Sequence, residues 1–364
     1  MFDRREIYYW KCDRPSAFEI RHVSDIQKRK VFIESLLQEY LDTYFSGAPF
    51  TLTPAGSQGN HITYIVDSQE KQFFIRLEDG QERDNYMEVE SRIATMLQTK
   101  QIPVPAMFHL NTNREKLPFA IQIMEYLPYS DLNKLYKNGD IKLRTIANRI
   151  GRYIGRWQQI PTRNFGLFDV RHLQKTGELQ GFHQLYKDYF FLNWDKHLNF
   201  LAKSGLMNSE RISAIDAIVK DHESVMNIND SCLVHKDIAL WNILGTSTDI
   251  KAIIDWDDAI AGDPTDDLSL LACFHSGPDV CAAIEGYQEV RNLPSDFEER
   301  FWLHLLRNII FKAVIRVGAG YFEESGDFFL VNSGNKKNDL RRMTLNKINL
   351  AYNGLNGKIK IEEL

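Results

Sequence analysis

The chain has 364 residues, is 43% hydrophobic and 26% charged, and carries a net charge of -5. Such a composition can bury enough apolar surface to offset ordering entropy, which excludes disorder for most of the chain. The length exceeds the usual single-core size and predicts two lobes, and the acidic balance excludes a nucleic-acid binder that works by bulk positive charge.

In chain order, Ser24-Asp25-Ile26-Gln27 reads as a capping box, in which the Ser and Gln side chains satisfy each other's orphan amides. It predicts a helix with Phe32, Leu36, Tyr40 and Tyr44 on its apolar face. A strand-rich block follows. Ile62–Val66 and Gln72–Leu77 are β-type runs joined by a hairpin turn at 67–71. Residues 84–99 carry Tyr86, Val89, Ile93, Met96 and Leu97 at helical spacing, and Pro103 and Pro105 close that segment. Leu117–Leu127 reads as a strand ended by Pro128.

From Asp131 onward helical patterns dominate, at Ile146–Trp157, Phe182–Leu201 and Arg211–Met226, with one β-type island at Leu233–Trp256. The expected division is therefore 1–127, a β-rich lobe whose first 50 residues add an amphipathic helix, and 128–364, a mainly helical lobe. The fold class is α+β, and a ligand belongs in the cleft between the lobes.

Cys12, Cys232, Cys273 and Cys281 form no CxxC pair and no zinc spacing, which points to a reducing, cytoplasmic setting. The opening MFDRREIYYW lacks the apolar region of a signal peptide. The most apolar stretch, 301–321, is interrupted by His304, Arg307, Lys312 and Arg316, so no membrane span or membrane partner is expected. Asn308, Lys312 and Arg316 recur every four residues and give that helix one polar stripe.

The informative island runs from Val234-His235-Lys236-Asp237 through Asn242 to Asp255-Trp256-Asp257. Asn242–Gly245 and Ile250–Ile254 read as strands about the polar turn 246–249. If 245 pairs with 250, then 242 pairs with 253, and Asp255 lies beside Asn242 at one end of the ribbon. Asp237 precedes that end by one loop. Two carboxylates and an amide oxygen then meet, a donor set suited to Mg²⁺. A carboxylate beside such a site can take a proton from an attacking hydroxyl.

His235-x-Asp237-x4-Asn242 resembles the catalytic loop of kinases. With Ile254-Asp255-Trp256-Asp257-Asp258-Ala259 and Gly262-Asp263-Pro264-Thr265-Asp266-Asp267-Leu268, it resembles the aminoglycoside phosphotransferase and choline kinase superfamily over roughly residues 50–325. The resemblance implies a protein-kinase-like bilobal fold and an ATP- and Mg²⁺-dependent small-molecule phosphotransferase. Asp237 is its catalytic base, and Asn242 and Asp255 are its metal ligands. Gly56-Ser57-Gln58-Gly59-Asn60 matches the phosphate loop, and Arg76 the phosphate-holding cation, in place of the Lys of protein kinases. Glu90 matches that cation's partner, and Met124-Glu125-Tyr126-Leu127 the adenine hinge.

The sequence departs from the pattern at Lys236, where Gly is usual, and at Ala239-Leu240-Trp241, where His-Pro-Gly is frequent. His235 reads as structural, Asp263 as a helix N-cap before Pro264, and Asp267 either as a brace of the catalytic loop or as a favourable helix start. Asp257 reads equally as a second metal contact or a turn residue. A catalytically silent kinase-like module is the rival reading. The acceptor stays open among aminoglycosides, sugars, amino alcohols and homoserine, and GTP stays open beside ATP. Asp188, Asp195, Asp279 and Glu285 read equally as carboxylates that attract a cationic acceptor or as solvent-facing ones, and no pattern identifies the acceptor residues.

Overall fold

The computed structural model describes residues 5, 23–56, 61–79, 83–324 and 339–364. Helix α1 (Val23–Tyr44) leads into a five-stranded antiparallel sheet of β1 (Phe50–Gly56), β2 (Ile62–Ser68), β3 (Lys71–Glu78), β4 (Met107–Asn111) and β5 (Ala120–Glu125). The sheet order is β1-β2-β3-β5-β4, and α2 (Met87–Thr99) is inserted between β3 and β4. The β2–β3 turn is tighter than the five-residue connection expected. Ser68 pairs with Lys71, so only Gln69 and Glu70 lie between the strands, both with positive φ. That backbone matches the right-handed twist of the strands it joins.

Alternation decides which side of the sheet does what. Tyr64, Val66, Ile75, Leu77, Ile121 and Ile123 point to one side and form a core with Ile33, Leu37 and Leu41 of α1. Arg76 and Gln122, paired across β3 and β5, lie at the opposite parity. The buried stripe of α1 is thus offset by one residue from the one expected. Phe32 is exposed, and Leu36, Tyr40 and Tyr44 only flank the contact. Two neighbouring stripes of α1 are apolar, and periodicity alone cannot rank them. The capping-box residue Ser24 lies among residues whose side chains are outside the described set.

The remainder is mainly helical. Short strand β6 (Ser130–Asp131) leads into α3 (Leu132–Lys137) and α4 (Leu143–Trp157); β7 (Phe165–Phe168) is followed by α5 (Val170–Thr176) and β8 (Gly181–His183). The single helix expected over 182–201 is two, α6 (Tyr186–Phe190) and α7 (Trp194–Lys203), separated at Asn193, whose φ of 60° lies in the left-handed region. The next, α8 (Ser209–Asp221), stops short of Met226, and its continuation tightens to a 3-10 turn. The island holds β9 (Cys232–Val234), β10 (Ile243–Gly245), β11 (Ile250–Ile253) and β12 (Ile260–Gly262). Last come α9 (Asp266–Ala272), α10 (Gly277–Gln288), α11 (Phe297–Gly318) and α12 (Asp339–Leu355).

Although α2 belongs to the sheet region, its Tyr86, Val89, Ile93 and Leu97 join the core of the helical part. The Tyr86 hydroxyl donates to the Ala259 carbonyl at 2.9 Å and accepts from the Phe168 amide at 3.1 Å. This helix sets Glu90 beside the 233–262 island. Among the described residues no helix is long and apolar enough to cross a membrane.

Candidate active site

The catalytic-loop segment begins where β9 ends. His235 is fully buried, with Nε2 3.0 Å from the Ile254 carbonyl and Nδ1 accepting from the Asp237 amide at 3.2 Å. Burial lowers its pKa below the usual imidazole value, so the neutral ring is a strut that sets Asp237 against β11. Asp267 holds the same loop from below. Its Oδ2 accepts from the His235 amide and the Trp157 indole, and its Oδ1 from the Lys236 amide, all within 2.9–3.0 Å. Of the two readings of Asp267, the brace is the one the contacts bear out. Asp263 does not cap α9. Its carboxylate accepts from the Thr265 amide and hydroxyl and faces His304 at 3.2 Å, and Thr265 is the residue before the helix.

Lys236 explains why glycine suits its position. Its φ is +68°, a left-handed backbone that favours glycine. Here the side chain compensates. Its Nζ donates to both Asp266 oxygens, at 2.8 and 2.7 Å, and to Asn308 Oδ1 at 2.7 Å. Burial alone would raise Asp266, but Lys236 and His304 outweigh it and hold the carboxyl down at about 2. Lys236→Gly is therefore expected to destabilise. Relief of the backbone is worth about 1 kcal/mol, whereas a buried carboxylate losing its partner costs about 3–5 kcal/mol. Urea unfolding near neutral pH should show the wild type ahead by roughly 2–4 kcal/mol from these two effects. Because the folded Asp266 pKa is depressed, that advantage fades as pH falls from the unfolded carboxylate's value of about 4 towards 2; burial also lowers Lys236 to about 8, so the ammonium's part of the pair is lost above that pH.

Asp237 and Asn242 meet. Asn242 Nδ2 donates to the Asp237 carbonyl at 2.8 Å and to Asp237 Oδ2 at 3.0 Å, which leaves the Asn242 amide oxygen for another partner. The ribbon register differs from the regular one. A bulge between Leu244 and Gly245 pairs Ile243, not Asn242, with Ile253. Asn242 closes a 3-10 turn instead, and its carbonyl accepts from the Ile254 amide at 2.9 Å. Asp255 still follows at the same end, with φ +63°.

Across from it stands Arg76, buried on β3, with Nη1 2.6 Å from Glu90 Oε1 and Nη2 3.5 Å from Asp255 Oδ1. The second Glu90 oxygen accepts from Gln122 Nε2 at 3.2 Å. The sequence reading missed Gln122, although an amide inside the apolar run 119–124 and opposite Arg76 is its signal. Burial raises Asp255 most; Arg76 pulls it down, and Glu90, Asp257 and Asp237 push it up again, to about 7. Its side chain keeps 42% of its surface open, so water screens part of this crowding. Asp257 is buried, 3.8 Å from His61.

Among the hinge residues, Met124 pairs with Phe74 and Glu125 with Phe73. The Glu125 amide donates to the Ala106 carbonyl at 2.8 Å, and its carboxylate accepts from the Ala106 amide, so that amide is already engaged. Tyr126 and Leu127 follow, partly exposed. Gly56 ends β1, and Ser57, Gln58, Gly59 and Asn60 lie outside the described residues.

Asp188, Asp195 and Glu285 are exposed, and Asp279 accepts from the Ser276 hydroxyl. The side chain that does reach Asp237 is Lys312 of α11, with Nζ 2.5 Å from Oδ1.

No curated protein matches this chain in sequence. Solved structures share its fold. Aminoglycoside phosphotransferase APH(4)-Ia is 12% identical, with a TM-score of 0.61 over 88% of this chain and 99% of that one. A putative fructosamine-3-kinase from Haemophilus somnus 129PT is 15% identical, with a TM-score of 0.59 over 86% and 96%. A thermostable mutant of APH(4)-Ia solved as a ternary complex with ADP and hygromycin B is 14% identical, with a TM-score of 0.59 over 87% and 97%. The profile of the APH family, described as the phosphotransferase enzyme family, matches residues 51–302. With more than half its length inside that match, the chain belongs to the APH phosphotransferase enzyme family, the protein-kinase-like small-molecule kinases that its catalytic-loop motif resembles.

Proposed function

We propose that this enzyme transfers the γ-phosphoryl group of ATP to a hydroxyl of a small molecule, with Mg²⁺ and with Asp237 as the base. The observation that carries the reading is the contact of Asn242 with Asp237 Oδ2, opposite the Arg76–Asp255 pair. The nucleotide would lie between residues 1–127 and 128–364, with adenine against the free backbone groups of 124–127 and phosphates against Arg76 and the 56–60 loop. A cytoplasmic setting, where ATP is at hand, suits this activity.

The donor chemistry fits Mg²⁺. Asn242 offers an amide oxygen because its nitrogen is engaged, and Asp255 offers a carboxylate crowded by acids that a cation would relieve. Hard oxygen donors in small number, with phosphates and water completing the shell, are what this ion takes. Bound there, the ion would neutralise charge on the phosphates. Asp237 orients the acceptor hydroxyl and takes its proton, while Asn242 keeps the carboxylate from rotating away and the His235 strut holds the Asp237 backbone. Such transfer is mostly positioning and charge neutralisation, so a small fixed set of side chains suffices.

Mg²⁺ with a non-hydrolysable ATP analogue is expected to raise the melting temperature. At a hundred times its dissociation constant a ligand adds about 2.7 kcal/mol, or about 3 °C for a chain this long. The same scan with the GTP analogue decides the nucleotide. A melting curve unmoved by any nucleotide, together with no ADP release over a hydroxyl-compound library, would leave the silent-module reading standing.

A further inference from the structure

The polar stripe of α11 passes the candidate base. Asn308 Nδ2 donates to Asp266, one turn on Lys312 reaches Asp237, and one turn further Arg316 Nη1 donates to the Thr344 hydroxyl at 2.7 Å. Arg316 is 2% exposed, and its Nη2 is buried without a partner. From α12, Lys347, 7% exposed, donates to the His275 carbonyl. Lys312 and Arg316 each lie 5.9 Å from the centre of the Phe274 ring, which Trp241 meets edge-on at 4.9 Å. Among the described residues, Asp237 is the one carboxylate bonded to any of these three cations. Burial without a carboxylate neighbour lowers Arg316 to about 10 and Lys347 to about 8.

This arrangement is the reverse of what a polycationic acceptor needs. A hydroxyl approaching Asp237 competes with Lys312 for Oδ1, because Oδ2 already accepts from Asn242. When Asp237 takes the proton, Lys312, whose side chain is only 15% exposed, loses its counter-charge. An unpaired ammonium in such a place is costly. A negative group carried by the acceptor itself would restore the balance and would also answer Arg316 across the Phe274 ring.

We infer that Lys312, backed by Arg316, is a specificity-determining residue and that the acceptor is an alcohol bearing an oxyanion, a carboxylate or a phosphate, close to the hydroxyl that is phosphorylated. The inference rests on the phosphotransferase reading with Asp237 as base, and it names that site's substrate class.

Two matched series test it: glucuronate, glucose and glucosamine, and glycerate, glycerol phosphate, glycerol and serinol. Each is read by ADP release and, without turnover, by thermal shift with and without Mg²⁺ and the ATP analogue. In the wild type the oxyanion members are expected to lead their neutral counterparts in kcat/KM by about 10–100-fold, the size of a charged hydrogen bond. Lys312→Met, which keeps the buried stem, should erase that lead by costing the oxyanion members about 10–100-fold more than their neutral counterparts, and Lys312→Arg should retain most of it. A carboxylate-only or phosphate-only lead identifies which oxyanion is taken, and either supports the inference. A wild type that favours glucosamine or serinol overturns it. So does a Lys312→Met loss uniform across all acceptors, which would make Lys312 a phosphoryl-transfer residue. In the thermal arm, no Lys312-dependent shift by any oxyanion member overturns it whatever the nucleotide does. A missing nucleotide shift sinks the phosphotransferase reading alone.

Discussion

Replacing Asp237 by Asn is expected to lower kcat by about 100–10,000-fold, the range a positioned general base contributes. The variant keeps the side-chain volume and one acceptor oxygen, so the donation from Asn242 survives. It loses the charge that holds Lys312 and the basicity that takes the hydroxyl proton. The groups proposed to hold the nucleotide, Arg76, Asp255 and the hinge, do not include Asp237. Nucleotide-induced thermal shifts should therefore stay within about 1 °C of the wild type at matched saturation. Single-turnover mixing separates the outcomes, because it reads the transfer step apart from product release. Turnover at the wild-type rate would remove Asp237 from the role of base. A lost thermal shift would instead mean that the substitution disturbs the nucleotide site.

Much of the chain was legible because local chemistry and long-range pattern agree. The β2 and β3 runs, the α2 spacing and the proline stop after it are each set by neighbours in sequence. The meeting of Asp237 with Asn242 follows from a five-residue offset within one loop, and a short connection leaves little freedom. The failures have a common cause, which is that they are decided by partners distant in sequence. The 182–201 segment carries an unbroken apolar pattern, yet the chain turns at Asn193 to seat α6 and α7 against different neighbours. The apolar stripe of α1 was placed one residue off because the sheet, not the helix, selects between 32–36–40–44 and 33–37–41. The ribbon register slipped by one at a bulge between Leu244 and Gly245, where the glycine inside the strand was the signal passed over.

The candidate site divides along the same line. Arg76 and Glu90 were named from their resemblance to the family's cation-bearing strand and its partner glutamate, and the two do pair. Gln122 was passed over as one polar residue in a strand, although its register opposite Arg76 makes it the second donor to Glu90. The Asn308, Lys312 and Arg316 stripe was visible as a period of four, but nothing in that period says what it faces. Only the packing of α11 beside α9 turns it towards Asp266 and Asp237. Asp188, Asp195, Asp279 and Glu285 were named as open either to a cationic acceptor or to solvent, and sequence alone does not choose, because exposed carboxylates are common and proximity to the base is a property of the fold.

The Arg76–Glu90 pair gives the largest expected stability effect. Both groups are buried, and they meet at 2.6 Å. Arg76→Met leaves the buried Glu90 carboxylate with Gln122 as its remaining donor among the described residues, and a buried charge that loses its partner costs about 3–5 kcal/mol. Urea unfolding should show that loss at an unchanged slope. Adding Glu90→Gln is expected to recover most of it, since a buried ion pair exchanged for neutral groups is near neutral in net stability. Nucleotide affinity separates structure from function. If Arg76 also holds phosphate, the double variant regains its midpoint but not its thermal response to Mg²⁺ and the ATP analogue. Arg76→Lys should fall between, because one ammonium cannot reach Glu90 and Asp255 together as the guanidinium does. A double variant that regains both stability and nucleotide affinity would make the pair a structural bolt and return the phosphates to the loop that follows β1.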